Sequence, residues 1–265
     1  MSVTVSCKGA VRLVAFGAAP HGILTSRDVR ELAATMSDVL GDEAARAVVI
    51  AGSDTGLFIR HYDLASIRKA ADALRSGGIE PDSFLEADFA RLTDAIAASP
   101  IPVIAAINGI CMGGGFELAL ACDIRVAQHD VAHIGLPEIR IDIFPGGGGT
   151  IRLARLIGEG PALDIALRGR TLDARRALEL GIVSEVSDDA VGSALEIAES
   201  LASREPLALA AIKRLVRSAS DGPLAERLAA ERLEFAELLA RSDTALASMD
   251  ALLASGVMLE DAPSR

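Results

Sequence analysis

The run Pro102-Val103-Ile104-Ala105-Ala106-Ile107 is apolar at every position and leads, a few residues later, into Gly113-Gly114-Gly115. A strand with no polar face must be covered on both sides, which is the situation of a parallel sheet layered with helices. Two other β-rich runs, Val11-Arg12-Leu13-Val14-Ala15-Phe16 and Ala47-Val48-Val49-Ile50-Ala51, each end at a glycine. Between them Val29, Leu32, Ala33, Met36, Val39 and Leu40 recur at helical spacing, with Ser26 placed to cap the helix and Gly41 to stop it. A second amphipathic helix is expected to carry Leu85, Phe89, Leu92 and Ile96 and to stop before Pro100. Asp123-Ile124-Arg125-Val126-Ala127 reads as a further strand, reached through a short helix. Strand and helix alternate without an exact repeat period, which is α/β order.

Beyond about residue 195 the β-branched runs disappear, and Pro223 opens a helix with Leu224, Leu228, Phe235 and Leu239 on one stripe. The expected division is an α/β core over 1–195 and a helical subdomain over 196–265. No low-complexity linker separates them, so they are read as one folding unit. The helical stripe must cover its own core or a neighbouring subunit.

The chain has 26 basic and 37 acidic residues, a net charge of −11, and only 3% aromatic residues with no Trp. A surface this acidic repels phosphate backbones and anionic lipids, and base-stacking platforms have no material to be built from. Nucleic-acid and membrane-surface partners are therefore not expected. Lys8 and Arg12 break the first apolar run before it could act as a leader, and Ile101 to Met112 falls short of the roughly 20 residues that span a bilayer. The cytoplasm is the default location. Cys7, Cys111 and Cys122 form no CxxC pair and read as buried small apolar residues in a reducing compartment. His129 and His133 are four apart, but the segment before them has strand character, so ordinary loop histidines are the better reading than a metal site.

Glycine concentrates at Gly113-Gly114-Gly115 and Gly146-Gly147-Gly148-Gly149, and neither run fits a nucleotide-binding fingerprint. The first lies between a buried strand and the short helix that starts at Gly115-Phe116-Glu117. Amides at a helix start lack intrahelical partners, and glycine lets a substrate oxygen approach them. Such amides can hold a developing oxyanion, helped by the helix dipole. Glu117 lies in the first turn of that helix, and Pro137 keeps Leu136 extended, which holds Glu138 on a turn of restricted freedom. Two glutamates in apolar surroundings are costly unless paired, hydrogen-bonded or protonated. Glu117 as a helix cap and Glu138 as an ion-pair partner of Arg140 or Arg152 form one alternative; a paired acid and base form the other.

The segment Pro102 to Gly109, then Gly113-Gly114-Gly115-Phe116-Glu117-Leu118-Ala119 and Cys122-Asp123, resembles the signature of the crotonase (enoyl-CoA hydratase/isomerase) superfamily. Gly135-Leu136-Pro137-Glu138-Ile139, Phe144-Pro145-Gly146-Gly147-Gly148-Gly149-Thr150 and Ala177-Leu178-Glu179-Leu180-Gly181-Ile182-Val183 continue the likeness, which is dense from 99 to 186. The resemblance implies a spiral of β-β-α turns with a C-terminal helical oligomerisation subdomain. Implied partners are an acyl-CoA thioester substrate and further copies of the chain, as a homotrimer or a hexamer of paired trimers. No cofactor is implied, because coenzyme A is part of the substrate. Two backbone N–H groups would polarise the thioester carbonyl, matching Gly114 and, from the stretch Phe58-Ile59-Arg60-His61-Tyr62-Asp63-Leu64, Tyr62. Both glutamate positions of hydrating members are filled, by Glu117 and Glu138. Isomerases usually keep one, so the implied reaction is syn addition of water to a 2-enoyl-CoA. By the same likeness Arg60, His61, Asp63, Leu64, Asp142 and Gly146 surround the substrate.

Departures from the family pattern are instructive. His61-Tyr62 replaces a small pair, so the side chains either reshape the acyl pocket or point away from it. Asp142 stands where glycine is common, either near substrate or as a solvated turn residue. The family's N-terminal motif is altered over Ala18-Ala19-Pro20-His21-Gly22-Ile23-Leu24, and Ser255 lies near the place of a lysine that often meets CoA phosphates. Arg60, Arg68 or Lys69 are the remaining phosphate candidates, although charges at 68–69 also suit a solvated helix face. Three other activities stay open: an isomerase, a thioester or C–C bond hydrolase using His61 or Asp142, and a non-catalytic trimeric scaffold.

Overall fold

The computed structural model describes residues 2–17 and 21–259; Ala18-Ala19-Pro20 of the altered N-terminal motif lie outside them. In chain order the first elements are β1 (Ser2–Lys8), β2 (Val11–Gly17), β3 (Ile23–Leu24), α1 (Ser26–Leu40), β4 (Ala47–Gly52), β5 (Gly56–Ile59) and β6 (His61–Tyr62). There follow α2 (Leu64–Arg75), α3 (Asp88–Ala98), β7 (Val103–Ile107), β8 (Gly109–Met112), α4 (Gly114–Ala121), β9 (Ile124–Gln128) and β10 (Ile134–Gly135). The remainder is α5 (Gly149–Ile157), α6 (Glu159–Leu167), β11 (Thr171–Leu172), α7 (Ala174–Glu179), β12 (Glu185–Ser187), α8 (Ala190–Ala202), α9 (Pro206–Arg217), α10 (Leu224–Arg241) and α11 (Asp243–Ser255).

Six strands form the main sheet in the order β1-β2-β4-β7-β9-β12, parallel except at β1, which is antiparallel to β2. A second sheet, β11-β10-β8-β5, takes up the strand that follows each central strand of the first. Thus β4 continues into β5, β7 into β8 and α4, and β9 into β10 and α5, giving the expected spiral of β-β-α turns. Every residue of β7 is fully buried, and its side chains alternate between two cores. Val103, Ala105 and Ile107 join the core shared with α1, α3 and α4, while Ile104 and Ala106 meet Ala190, Ala194 and Ala198 of α8. That division is why the strand has no polar face. The small alanines let α8 lie close against the sheet. No helix among the described residues is long and apolar enough to cross a membrane.

Several local expectations need correction. The cap of α1 is Thr25, whose hydroxyl accepts from the Asp28 N–H while Asp28 accepts from the Thr25 N–H, a capping box that leaves Ser26 inside the helix. Helix α3 starts at Asp88, so Leu85 lies before it and is exposed. Cys7, on the edge strand β1, is exposed, whereas Cys111 and Cys122 are buried. The expectation of loop histidines does hold: both follow β9 outside any helix, His129 pairing with Asp188 and His133 meeting the Thr171 hydroxyl.

The helix α4 is held at its far end by cations. Arg125, buried, donates to the Ala119, Cys122 and Ile182 carbonyls, and Arg217 of α9 donates to the Ala121 carbonyl. Asp123 balances this charge, pairing with Lys213 at 2.8 Å and Arg217 at 2.7 Å. Lys213 also donates to the Ile96 and Ile101 carbonyls. Positive charge is favourable at a helix C-terminus, so α9 is fastened to the core by satisfying one. Asp123→Ala leaves two cations facing each other with little solvent, and chemical denaturation should show a loss of about 3 kcal/mol.

Candidate active site

Gly113 turns the chain from β8 into α4 with φ +52°, a conformation that side-chain-bearing residues rarely adopt. Its N–H donates to the Gly135 carbonyl and its own carbonyl accepts from the Glu117 N–H. Gly114 is therefore the first residue of α4, where N–H groups have no intrahelical acceptor. Strand β6 runs alongside. Arg60 and Asp63 donate their N–H groups to the Gly22 and Leu24 carbonyls of the neighbouring strand segment. The intervening Tyr62 N–H lies on the Gly114 side, with its nitrogen 3.7 Å from where a Cβ on Gly114 would stand. Gly115 lets this approach happen, since a Cβ there would stand 2.4 Å from the Ile59 carbonyl oxygen.

Glu117 is 5% exposed. Its Oε1 accepts the Gly147 N–H at 2.6 Å and the Gly149 N–H at 2.9 Å, so the second glycine run closes over the carboxyl. Arg152 steadies that loop by donating to the Gly147 carbonyl and pairs with Asp94 on α3. Burial pushes the Glu117 proton affinity up, while the two amides and the Arg152 charge pull it down; the net shift is upward. Glu138 opens a 3-10 turn, Glu138–Ile141, and brings its Oε1 to 3.0 Å from where a Gly113 Cβ would be. Its Oε2 is buried and has no hydrogen-bond partner among the described residues. Burial, and secondarily the Glu117 charge, push the Glu138 pKa up to about 7. Glu117 thus does not cap its own helix, and Glu138 makes no ion pair with Arg140 or Arg152.

The structure gathers Tyr62, Gly114, Glu117 and Glu138 around one spot at the start of α4. His61 stands beside them, its Cβ 3.5 Å from the same Gly113 position and its Nδ1 2.8 Å from the Tyr62 carbonyl. Asp63 instead caps α2 through the Ala65 and Ser66 N–H groups, and the Ser66 hydroxyl bond holds its carboxyl below the usual range. Arg60 donates to the His21 carbonyl, and Leu64 begins α2 partly exposed. Asp142 is exposed and closes the 3-10 turn at φ +60°, and Gly146 is exposed on the loop that covers Glu117. Arg68 pairs with Asp72 along α2, and Ser255 ends α11 bonded to the Leu252 carbonyl. Two further participants escape sequence reasoning: Phe89 and the Gly147–Gly149 amides. A Cβ on Gly147 would stand 2.3 Å from the Phe89 ring and 2.8 Å from Glu117 Oε2, so ring and carboxyl are neighbours. Phe89 looks like any other core position of its helix; the glycine pair spaced by two was the available signal.

N–H groups at a helix start can hold an oxygen that gains negative charge, and two carboxyls beside it can move protons. The family model described as enoyl-CoA hydratase/isomerase matches residues 9–253. The chain is 41% identical to a zebrafish (Danio rerio) peroxisomal bifunctional enzyme over 181 residues, covering 68% of this chain and only 23% of that protein. It is 35% identical over 222 residues to YngF of Bacillus subtilis, whose name assigns it to the enoyl-CoA hydratase/isomerase class, with 83% and 82% of the two chains covered. The solved enoyl-CoA hydratase subunit I of Geobacillus kaustophilus superposes with a TM-score of 0.84 at 34% identity over 96% of each chain. The fold is therefore that of the crotonase superfamily. Within it, this chain belongs to the enoyl-CoA hydratase/isomerase family.

The proton on Glu138 sets a stability window. Because its pKa rises from the ordinary 4.5 to about 7, the folded chain holds this proton more tightly than the unfolded chain. Stability from this group is full below the ordinary value and is lost as pH rises through about 7. Glu138→Gln should therefore gain on wild type across that interval and level off above it. Because Glu138 is only partly buried, the gain at mildly alkaline pH should be about 1–2 kcal/mol, read by denaturant titration at several pH values.

Proposed function

We propose that the chain catalyses reversible syn addition of water to a 2-enoyl-CoA thioester, through an enolate held by backbone N–H groups. The observation that carries this reading is the pairing of Glu117, bonded to two amides, with Glu138, half-buried near it with its buried Oε2 unpartnered among the described residues. The thioester oxygen sits between the N–H groups of Tyr62 and Gly114. Charge drawn onto that oxygen leaves Cβ electrophilic. Glu117, kept ionisable by its amides, takes a proton from the attacking water, and Glu138 in its protonated form delivers one to Cα. Removing one such N–H donor costs about 2.7–4 kcal/mol of transition-state stabilisation in comparable sites.

A hydratase is favoured over an isomerase because both carboxyls border the cleft, whereas moving a double bond requires only one. Asp142, exposed at the end of its turn, lends little to a hydrolase. The substrate is an acyl-CoA, with Arg60, Arg68 and Lys69 as the cations available for its phosphates and no additional cofactor. The partly exposed apolar positions Leu224, Leu228 and Phe235 on α10 suit assembly into a trimer or a pair of trimers. With crotonyl-CoA, loss of the conjugated-thioester absorbance should slow by a factor of about 10² or more in Glu117→Gln and in Glu138→Gln, both remaining folded. Variants as fast as wild type would contradict the two-carboxyl mechanism. Release of free CoA by wild type, with the double bond intact, would favour the hydrolase.

A further inference from the structure

The side chain of Tyr62 is as well placed as its backbone. Its hydroxyl is 2.9 Å from the Ser26 hydroxyl at the start of α1, and its ring meets Phe89 edge-on, with centroids 6.0 Å apart and planes at 81°. Phe89 in turn reaches into the space that a Gly147 side chain would fill, next to Glu117 Oε2, and its ring tip is 3.7 Å from a Cβ built on Gly114. The Tyr62 Cβ is 3.4 Å from that same point. The Phe89 ring thus stands beside both Gly114 and the Glu117 carboxyl, and the Tyr62 ring packs against it. An acyl chain with its carbonyl at Gly114 and its Cβ facing Glu117 would meet these rings.

We infer that Tyr62 and Phe89, braced by Ser26, form an aromatic wall that ends the acyl pocket and restricts the enzyme to short acyl groups. The inference rests on the acyl-CoA reading of this cleft. Two contacts oppose any swing of the tyrosine, the hydroxyl pair and the edge-to-face packing. An edge-to-face pair adds about 0.5–1.5 kcal/mol and a hydroxyl pair about as much, so displacing the ring is costly to a long-chain ligand. Truncation should open a channel toward α1.

The test uses binding as well as turnover. Dissociation constants for the saturated thioesters butanoyl-CoA and decanoyl-CoA are measured by titration calorimetry with wild type, Tyr62→Ala, Phe89→Leu and Ser26→Ala. In parallel, kcat/KM is measured for the four- and ten-carbon 2-enoyl-CoAs. Wild type should favour the four-carbon ligand. Tyr62→Ala should shift the ten- to four-carbon ratio by about tenfold or more in binding, and Phe89→Leu and Ser26→Ala in the same direction by less. Should Tyr62→Ala fail to fold, the latter two decide. A wild type that binds both thioesters equally, or ratios unmoved by the substitutions, would overturn the wall. Turnover absent throughout, with the binding ratio still shifted, would instead refute hydration and leave the wall standing.

Discussion

One carboxyl oxygen, Glu117 Oε1, holds the two glycine runs together. The first run starts the helix that carries Glu117; the second folds over it and donates the Gly147 and Gly149 N–H groups. Without these donors a carboxyl so thoroughly buried would stay protonated, and without the carboxyl two loop amides would be left without an acceptor. The arrangement tolerates no side chain at either donor: a Cβ on Gly147 would stand 2.8 Å from Glu117 Oε2, and one on Gly149 would stand 2.9 Å from Leu136 and 3.0 Å from Glu117. Arg152 extends the clamp to α3 through Asp94. The same α3 presents Phe89 to the cleft, so one ion pair helps position both a charged and an aromatic border.

Helix α4 links this chemistry to the rest of the molecule. Its N-terminus supplies the Gly114 amide, and its last carbonyls accept from Arg125 and Arg217. The helix is only eight residues long, from its glycine-rich start to a C-terminus fastened by α9. A shift in the docking of α9 would be passed along a short rigid rod to the cleft. The lengthwise dipole is complemented at the far end by cations, and the near end is left free for negative charge.

Much of this was legible in the residues. The doubly apolar β7, the glycine-rich start of α4 and the two glutamates could be picked out from types and spacing, and the spiral followed from the family likeness. What was not legible depended on side chains meeting across distant segments. Ser26 has the chemistry of a cap, yet Thr25 takes that role because Asp28 completes the reciprocal pair, which frees the Ser26 hydroxyl for Tyr62. Phe89 belongs to an ordinary apolar stripe, and only its position against Gly147 distinguishes it. Cys7 has a small apolar side chain but sits on an edge strand whose neighbouring residues face solvent. Lys213 and Arg217 look like the solvated face of α9, and it is Asp123, next to the end of α4, that draws them inward.

The central claim is that a thioester carbonyl lies between the Tyr62 and Gly114 nitrogens. Infrared difference spectroscopy of butanoyl-CoA labelled with carbon-13 at the carbonyl, bound to the wild-type protein, reads that contact directly, since this saturated ligand has no double bond to hydrate. Two strong donors weaken the C=O bond, so the labelled band should move to lower frequency on binding than it has in water. A bound ligand whose band stays at or above its frequency in water would contradict the account.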